Sequence, residues 1–197
     1  RQRQMCIRAG NTKPAKVKKH KKKLGTSISE RPSNIDNREE FGHWEIDTVI
    51  GEKSNNDCVL LTILERKTRN AFIQKIESKT AEAVTEALNN IRSIYGEKFS
   101  KVFKTITGDN GSEFADLSKL EIGTDTKVYF THPYSSFEKG TNERHNGLIR
   151  RFIPKGKRIS DYSLEAIAFI EDWMNTLPRK ILNYKTPEEL FEIHLDQ

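Results

Sequence analysis

The segment Cys58-Val-Leu-Leu-Thr-Ile-Leu64 constrains the fold more than any other stretch of this chain. Successive side chains of a strand point to opposite faces, so a strand with one wet face alternates apolar and polar residues. This run is apolar on both faces, which demands the centre of a sheet covered on either side. Two more strand-like runs bracket it. Trp44-Glu-Ile-Asp-Thr-Val-Ile50 precedes it across a turn at 51–57, and Ala71 to Ile76 follows across Lys67-Thr-Arg-Asn70. Short connections between successive strands give an antiparallel meander.

Beyond the meander the period changes. Thr80 is placed to cap a helix whose apolar positions Val84, Ala87, Leu88, Ile91 and Ile94 follow helical spacing, with Gly96 past its end. Val102 to Thr107 reads as a fourth strand and Lys127 to Phe130 as a short fifth. A helix to about Phe152 follows, another spans Ser163 to Leu177, and Thr186-Pro-Glu-Glu189 opens the last with a capping box and a proline at its first position. The expected fold is α/β: a five-stranded mixed sheet, three antiparallel strands plus two parallel ones, flanked by helices. This element order resembles a ribonuclease-H-like core.

The chain has 197 residues, enough for one sizeable core. It shows no apolar run of membrane-spanning length and no signal-peptide pattern. Cys6 and Cys58 are too few for a disulfide framework or a cysteine-rich zinc site, so a reducing, cytoplasmic setting is expected. The net charge of +6 is uneven: ten of the 34 lysines and arginines fall within residues 1–24, where there is no acid. Residues 1–40, with Pro14, Pro32 and little apolar periodicity, read as a basic flexible arm and linker, and 41–197 as the folded domain. Lys18, Lys19, Lys21, Lys22 and Lys23 are candidates for DNA phosphate contact, the alternative being a solvated tail. A chain starting at Arg1 also reads as part of something longer.

Three acids stand out. Asp47 lies mid-strand between Ile46 and Thr48, where an unpaired carboxylate is costly unless it faces water, a cation or strong donors. Glu45, two residues back on the same face, reads as a supporting or surface acid. Asp109 follows the fourth strand in Thr107-Gly-Asp-Asn-Gly-Ser-Glu-Phe114, which is also ordinary turn chemistry. Glu143 sits early in the helix after the fifth strand; Asn146, Gly147 and Arg150 share its face, and His145, Leu148, Ile149 and Phe152 fall opposite. Gly147 leaves space one turn above the carboxylate. Each acid alone has a bland reading as a solvated or turn residue. The topology sets the fourth strand beside the first, so the three would meet, and acids that repel one another imply divalent metal, Mg²⁺ or Mn²⁺ for an oxygen-only set. Two such ions can clamp an in-line phosphoryl displacement. Arg150, Arg151, Lys155, Lys157 and Arg158, with Asn146, are further DNA-contact candidates.

His43-Trp-Glu-Ile-Asp-Thr-Val49, Thr107 to Phe114, and Tyr129-Phe-Thr-His-Pro-Tyr-Ser through Gly140-Thr-Asn-Glu-Arg-His-Asn-Gly-Leu-Ile-Arg-Arg151 together resemble the catalytic domain of IS30-family transposases, within the DDE transposase and retroviral-integrase group. The resemblance covers about residues 41–195. It implies Asp47, Asp109 and Glu143 as catalytic and metal-binding triad, with two Mg²⁺ or Mn²⁺ ions. It also implies Mg²⁺-dependent nicking of insertion-sequence ends followed by 3′-hydroxyl strand transfer. DNA is the implied partner, with a homodimer or larger assembly on it. The chain departs from the family pattern at Phe137, Arg144 and Leu177, where relatives often carry Trp, Asn and Arg. Rival readings are a hydrolytic nuclease or resolvase on the same fold, and a non-catalytic DNA-binding regulator.

Overall fold

The structure, a computed structural model, describes residues 24–52, 56–133, 135, 138 and 140–196. Its centre is a five-stranded sheet of β1 (His43–Ile50), β2 (Val59–Glu65), β3 (Ala71–Ile76), β4 (Thr105–Gly108) and β5 (Lys127–Phe130). The spatial order is β3-β2-β1-β4-β5, with β1–β2 and β2–β3 antiparallel and β1–β4 and β4–β5 parallel. This is the mixed sheet expected from the sequence. All seven residues of β2 are buried, as its two apolar faces require.

Each face of the sheet has its own core. Trp44, Ile46, Leu61 and Ile63 pack with Val84, Leu88 and Ile91 of α1 (Ala81–Tyr95) and with Phe191 of α5 (Pro187–Leu195). Val49, Leu60, Leu64 and Ile73 pack on the other face with Ile149 of α3 (Gly140–Ile149) and Ile167, Ile170 and Met174 of α4 (Leu164–Thr176). Period-two alternation along β1 therefore sends Trp44 and Ile46 one way and Glu45, Asp47 and Val49 the other, beneath α3.

Several boundaries differ from the sequence reading. The apolar run from Val102 is not strand at its start: Phe99–Val102 is a helical turn (α2), and β4 begins only at Thr105. The reason is Trp44, whose indole N–H donates to the Val102 carbonyl at 2.7 Å and whose ring stacks on Phe103 at 4.5 Å. Val102 and Phe103 plug the core and do not extend the ladder. Ile94, read as an apolar-stripe position, is exposed, so the buried stripe of α1 ends at Ile91. Helix α3 stops at Ile149, and the chain tightens through 150–153 before Pro154, with the Ile153 N–H still bonded to the Ile149 carbonyl.

Order also begins earlier than residue 41. Of the arm and linker read over 1–40, residues 1–23, including Lys18, Lys19, Lys21, Lys22 and Lys23, lie outside the described residues. Residues 24–40 pack on the domain. The Thr26 carbonyl accepts from the Phe130 N–H, Arg31 donates to the Thr107 hydroxyl at 3.0 Å, and Ile35 is buried. Among the described residues, no helix is long and apolar enough to cross a membrane.

Candidate active site

The parallel pairing of β1 and β4 matches His43 with Thr105, Trp44 with Ile106 and Glu45 with Thr107. Every pair is 62 residues apart. Carried two residues on, the same offset sets Asp47 beside Asp109, immediately past the end of β4 at Gly108. Adjacent strands lie about 4.8 Å apart, so these two carboxylates leave neighbouring backbones at the same end of the sheet.

Both acids are half-buried and held by named donors. Asn146 on α3 donates its side-chain amide to Asp47 Oδ2 at 2.8 Å. Asp109 Oδ1 accepts the Gly111 N–H at 2.7 Å, an Asx turn that reverses the chain after β4. Next to it, the Asn110 amide donates to the Thr131 carbonyl at the end of β5. Glu143 lies three residues before Asn146, on the same flank of α3, and is exposed. Among the described residues, no three carboxylate, imidazole or thiol groups converge closely enough to hold a metal ion. The ladder thus sets Asp47 and Asp109 on adjacent strand ends, and Glu143 is carried by α3 on the flank that also bears Asn146. A side chain at Gly147 would meet nothing nearby, so only an incoming partner would need that space.

One acid of this neighbourhood escaped the sequence reading. Glu113, from the 3-10 turn Ser112–Phe114, is buried, accepts from the Thr48 hydroxyl at 3.2 Å and pairs with Lys79 at 2.9 Å. It ties the Asp109 turn to β1 and to the segment before α1. Gly111 sits in the gap: a Cβ there would collide with the Glu113 carboxylate and stand 2.8 Å from Asp109 Oδ1. The only signal in the sequence was its place four residues after Asp109.

Glu45 is not a surface acid. It is buried, 3.4 Å from Arg66 Nε, and accepts from the Thr141 hydroxyl at 3.4 Å, which links β1 to the first turn of α3. His145 is buried on the core side of α3 with Nδ1 3.0 Å from the Thr141 carbonyl; burial pulls its pKa down to about 4, so the ring is neutral.

The basic candidates divide. Arg150 turns inward and donates to the carbonyls of Ile50 at 2.6 Å and Ile153 at 3.4 Å, tying the end of α3 to β1. Arg151 is exposed, its guanidinium 5.9 Å from the centre of the Trp173 ring. Lys155, Lys157 and Arg158 are exposed on a loop clamped to the end of β1. Asp57 accepts the N–H groups of Ile159 at 2.7 Å and Ser160 at 3.0 Å, and the Gly156 N–H donates to Gly51. Gly51 admits this close approach because any Cβ there would strike the Lys157 carbonyl. The loop cations therefore sit beyond the same end of β1 as Asp47.

Comparison with known proteins bears on the family and the fold. Residues 37–136 match the family model described as integrase core domain. The chain is 44% identical over 191 residues to a probable transposase for insertion-like sequence element IS1161 of Streptococcus salivarius, covering 97% of this chain and 52% of that protein. It is 41% identical over 170 residues to the transposase for insertion sequence element IS4351 of Bacteroides fragilis, covering 86% and 50%. With transposase InsI for insertion sequence element IS30A of Escherichia coli K12 it shares 38% over 172 residues, covering 85% and 42%. It thus spans about half the length of the relatives it matches. Among solved structures, a chain of the simian T-cell lymphotropic virus intasome in complex with PP2A regulatory subunit B56 gamma superposes with a TM-score of 0.59 at 17% identity, over 76% of this chain and 53% of that one, which supports the ribonuclease-H-like fold. The chain belongs to the integrase core domain family, on the branch of the IS30-type insertion-sequence transposases.

Proposed function

We propose that this chain is the catalytic part of a DNA transposase that nicks insertion-sequence ends and joins the freed 3′-hydroxyl to a second phosphodiester. The observation that carries this reading is the β1–β4 register, whose constant offset sets Asp47 beside Asp109 at the end of the sheet that α3 covers with Glu143. An oxygen-only donor set on adjacent strand ends suits Mg²⁺ or Mn²⁺, with Asp47, Asp109 and Glu143 as the holding residues. When bound, two such ions supply Lewis-acid polarisation of the scissile phosphate and activation of the attacking oxygen.

The chain's own residues set the geometry. Asn146 fixes the Asp47 carboxylate, the Gly111 N–H fixes Asp109, and Glu113 braces the turn between them. Asp47, on the central strand of the three elements that carry these acids, would be shared between the ions, with Asp109 and Glu143 each holding one of them. In nicking, a water oxygen bonds to phosphorus as the bond to the 3′ oxygen breaks, and that oxygen leaves as a hydroxyl. In joining, the 3′ oxygen bonds to the target phosphorus and the target's own 3′ oxygen departs with the proton. No side chain is covalently modified. Lys155, Lys157 and Arg158 follow the phosphate backbone beside this end of the sheet. The basic residues before 24 add phosphate contacts to a catalytic domain on which residues 24–40 already pack. The active form on DNA is a dimer or larger, acting in the bacterial cytoplasm.

The test is incubation with end-labelled insertion-sequence ends, a target duplex and Mg²⁺. Wild type is expected to yield nicked and joined products, and Glu143→Gln to lose both while keeping its far-UV spectrum and DNA retention. Nicking without joining would make the chain a nuclease, and joining by Glu143→Gln would remove Glu143 from the site.

A further inference from the structure

Helix α3 has a second functional flank. The side turned away from Asp47 lines a cavity of about 370 Å³ walled by Arg38, Arg69, Arg144 and Arg179, with Thr141 and His145 also in its lining and no acidic side chain among the lining residues. Four guanidinium groups around one cavity repel one another, and the buried Arg69 and half-buried Arg179 also lose hydration. The effect is visible at Arg69, whose pKa falls to about 10 through burial first and the nearby charge of Arg38 next, with Glu45 and Glu65 behind the wall opposing both. Compensation within the lining itself is thin. Arg69 reaches the Thr141 hydroxyl at 3.4 Å, and Arg179 donates to the Met174 carbonyl at 2.8 Å while its Nε is buried without a partner. His145, more than nine-tenths buried, turns its ring to the backbones of Thr141 and Arg69 and adds no anion to the cavity.

The walls are built at a backbone cost. Among the described residues, four non-glycine residues have positive φ: Arg38 at 60°, Arg69 at 67°, Asn183 at 53° and Tyr184 at 63°. Two line the cavity and two end the turn that brings Arg179 and Ile181 to it. Left-handed backbone at bulky residues is retained where the surroundings over-determine it, and it gathers at ligand sites.

We propose that this cavity binds a phosphate group of the DNA backbone, so that a strand served at the acidic site is also gripped on the opposite flank of α3. A phosphodiester supplies what the cavity lacks: a compact anion with several acceptor oxygens, suited to guanidinium forks. The cavity is larger than one phosphate, which leaves room for the sugars on either side. Residues 143 and 146 serve one flank of the helix and 141, 144, 145 and 148 the other, so α3 is a divider with DNA contacts on both sides. The proposal rests on the reading of the chain as a DNA-processing domain, although anion binding in the cavity can be measured without catalysis.

Arg38 and Arg144 are exposed, so Arg38→Gln/Arg144→Gln removes two wall cations with little risk to folding; Lys98→Gln/Lys101→Gln removes two exposed cations elsewhere. The full chain is titrated without divalent metal against a labelled random-sequence duplex between 50 and 200 mM salt, as about the range over which phosphate contacts show. The cavity variant is expected to bind about tenfold more weakly, with a salt slope lower by about one, while the lysine variant changes less in both. In parallel, inorganic phosphate is added and the arginine Nε–H resonances are followed. Those of Arg69 and Arg179 are expected to shift in the wild type and not in the cavity variant. Equal DNA affinity and salt slope for the two variants would overturn the proposal. So would phosphate-insensitive Arg69 and Arg179 resonances, or binding of polyglutamate, in place of DNA, that is lost in the cavity variant. Absence of strand joining by the wild type would sink the transposase reading and leave the phosphate titration standing.

Discussion

The geometry around Asp109 depends on an atom that is missing. At Gly111 a methyl group would press on Asp109 Oδ1 and on the Glu113 carboxylate together. Gly111→Ala must therefore swing one or both acids away. Its φ of −70° is open to any residue, so the fold need not suffer. The expected result is a loss of strand joining on the order of 100-fold, with a midpoint of thermal unfolding within a few degrees of wild type, since a misplacement of about 1 Å at a catalytic group is enough for such a loss. Parallel single-turnover assays and melting curves check it. Joining at the wild-type rate would show that the turn does not position Asp109. Position by position, the sequence could place Asp47 on a strand, Asp109 just past one and Glu143 early in a helix, because each falls in a local pattern. It could not be read for Glu113, whose role depends on Lys79 and Thr48 arriving from other elements. Nor could it tell that Arg150 turns inward to backbone carbonyls while Arg151, its neighbour, stays on the surface.

Between elements, the edge strand β3 shows how α4 is fastened. Asn175 donates to the Ala71 carbonyl at 2.8 Å and accepts its N–H at 2.9 Å, and Glu171, one turn earlier, accepts the N–H of Ile73. Two side chains of a helix thus complete hydrogen bonds that an edge strand would otherwise offer to another chain. Burial raises the pKa of Glu171, and the Ile73 N–H opposes that shift. Asn175→Leu keeps similar volume but strands a buried donor and acceptor, at roughly 2–4 kcal/mol for the two groups. Urea unfolding should show a lower midpoint with an unchanged slope, and a loss below about 0.5 kcal/mol would mean that the strand edge finds other partners. The meander and α1 were legible because their patterns are local. The start of β4 was not, since Val102 and Phe103 are apolar enough for a strand and become a core plug only because Trp44 lies across from them. The packing of residues 24–40 was hidden for a similar reason: its anchors, the Phe130 N–H and the Thr107 hydroxyl, lie far along the chain.

For the whole molecule, the sheet sets two acids on adjacent strand ends while the third rides on α3, a helix packed in the core on the same face that Asp47 points to. Gathering Asp47, Asp109 and Glu143 costs mutual repulsion, and a divalent ion reverses the sign of that cost. A ligand that binds only the folded state stabilises it by RT ln(1 + [L]/Kd), about 1.4 kcal/mol at ten times Kd, or roughly 3–6 °C for a domain of this size. Mg²⁺ or Mn²⁺ is therefore expected to raise the unfolding midpoint of the wild type by that amount, and EDTA to return it. Asp109→Asn removes one ligand charge and one source of repulsion at once. Its metal-free midpoint should equal or exceed that of the wild type, and its response to metal should largely disappear. Ca²⁺ serves as the control for general ionic stabilisation, because it binds oxygen ligands in looser geometry. Scanning calorimetry of the two proteins with and without metal decides the matter without any DNA in the cell. If the wild type gains nothing, or Asp109→Asn gains as much, these carboxylates do not share a metal ion, and the two strand ends are neighbours for structural reasons alone.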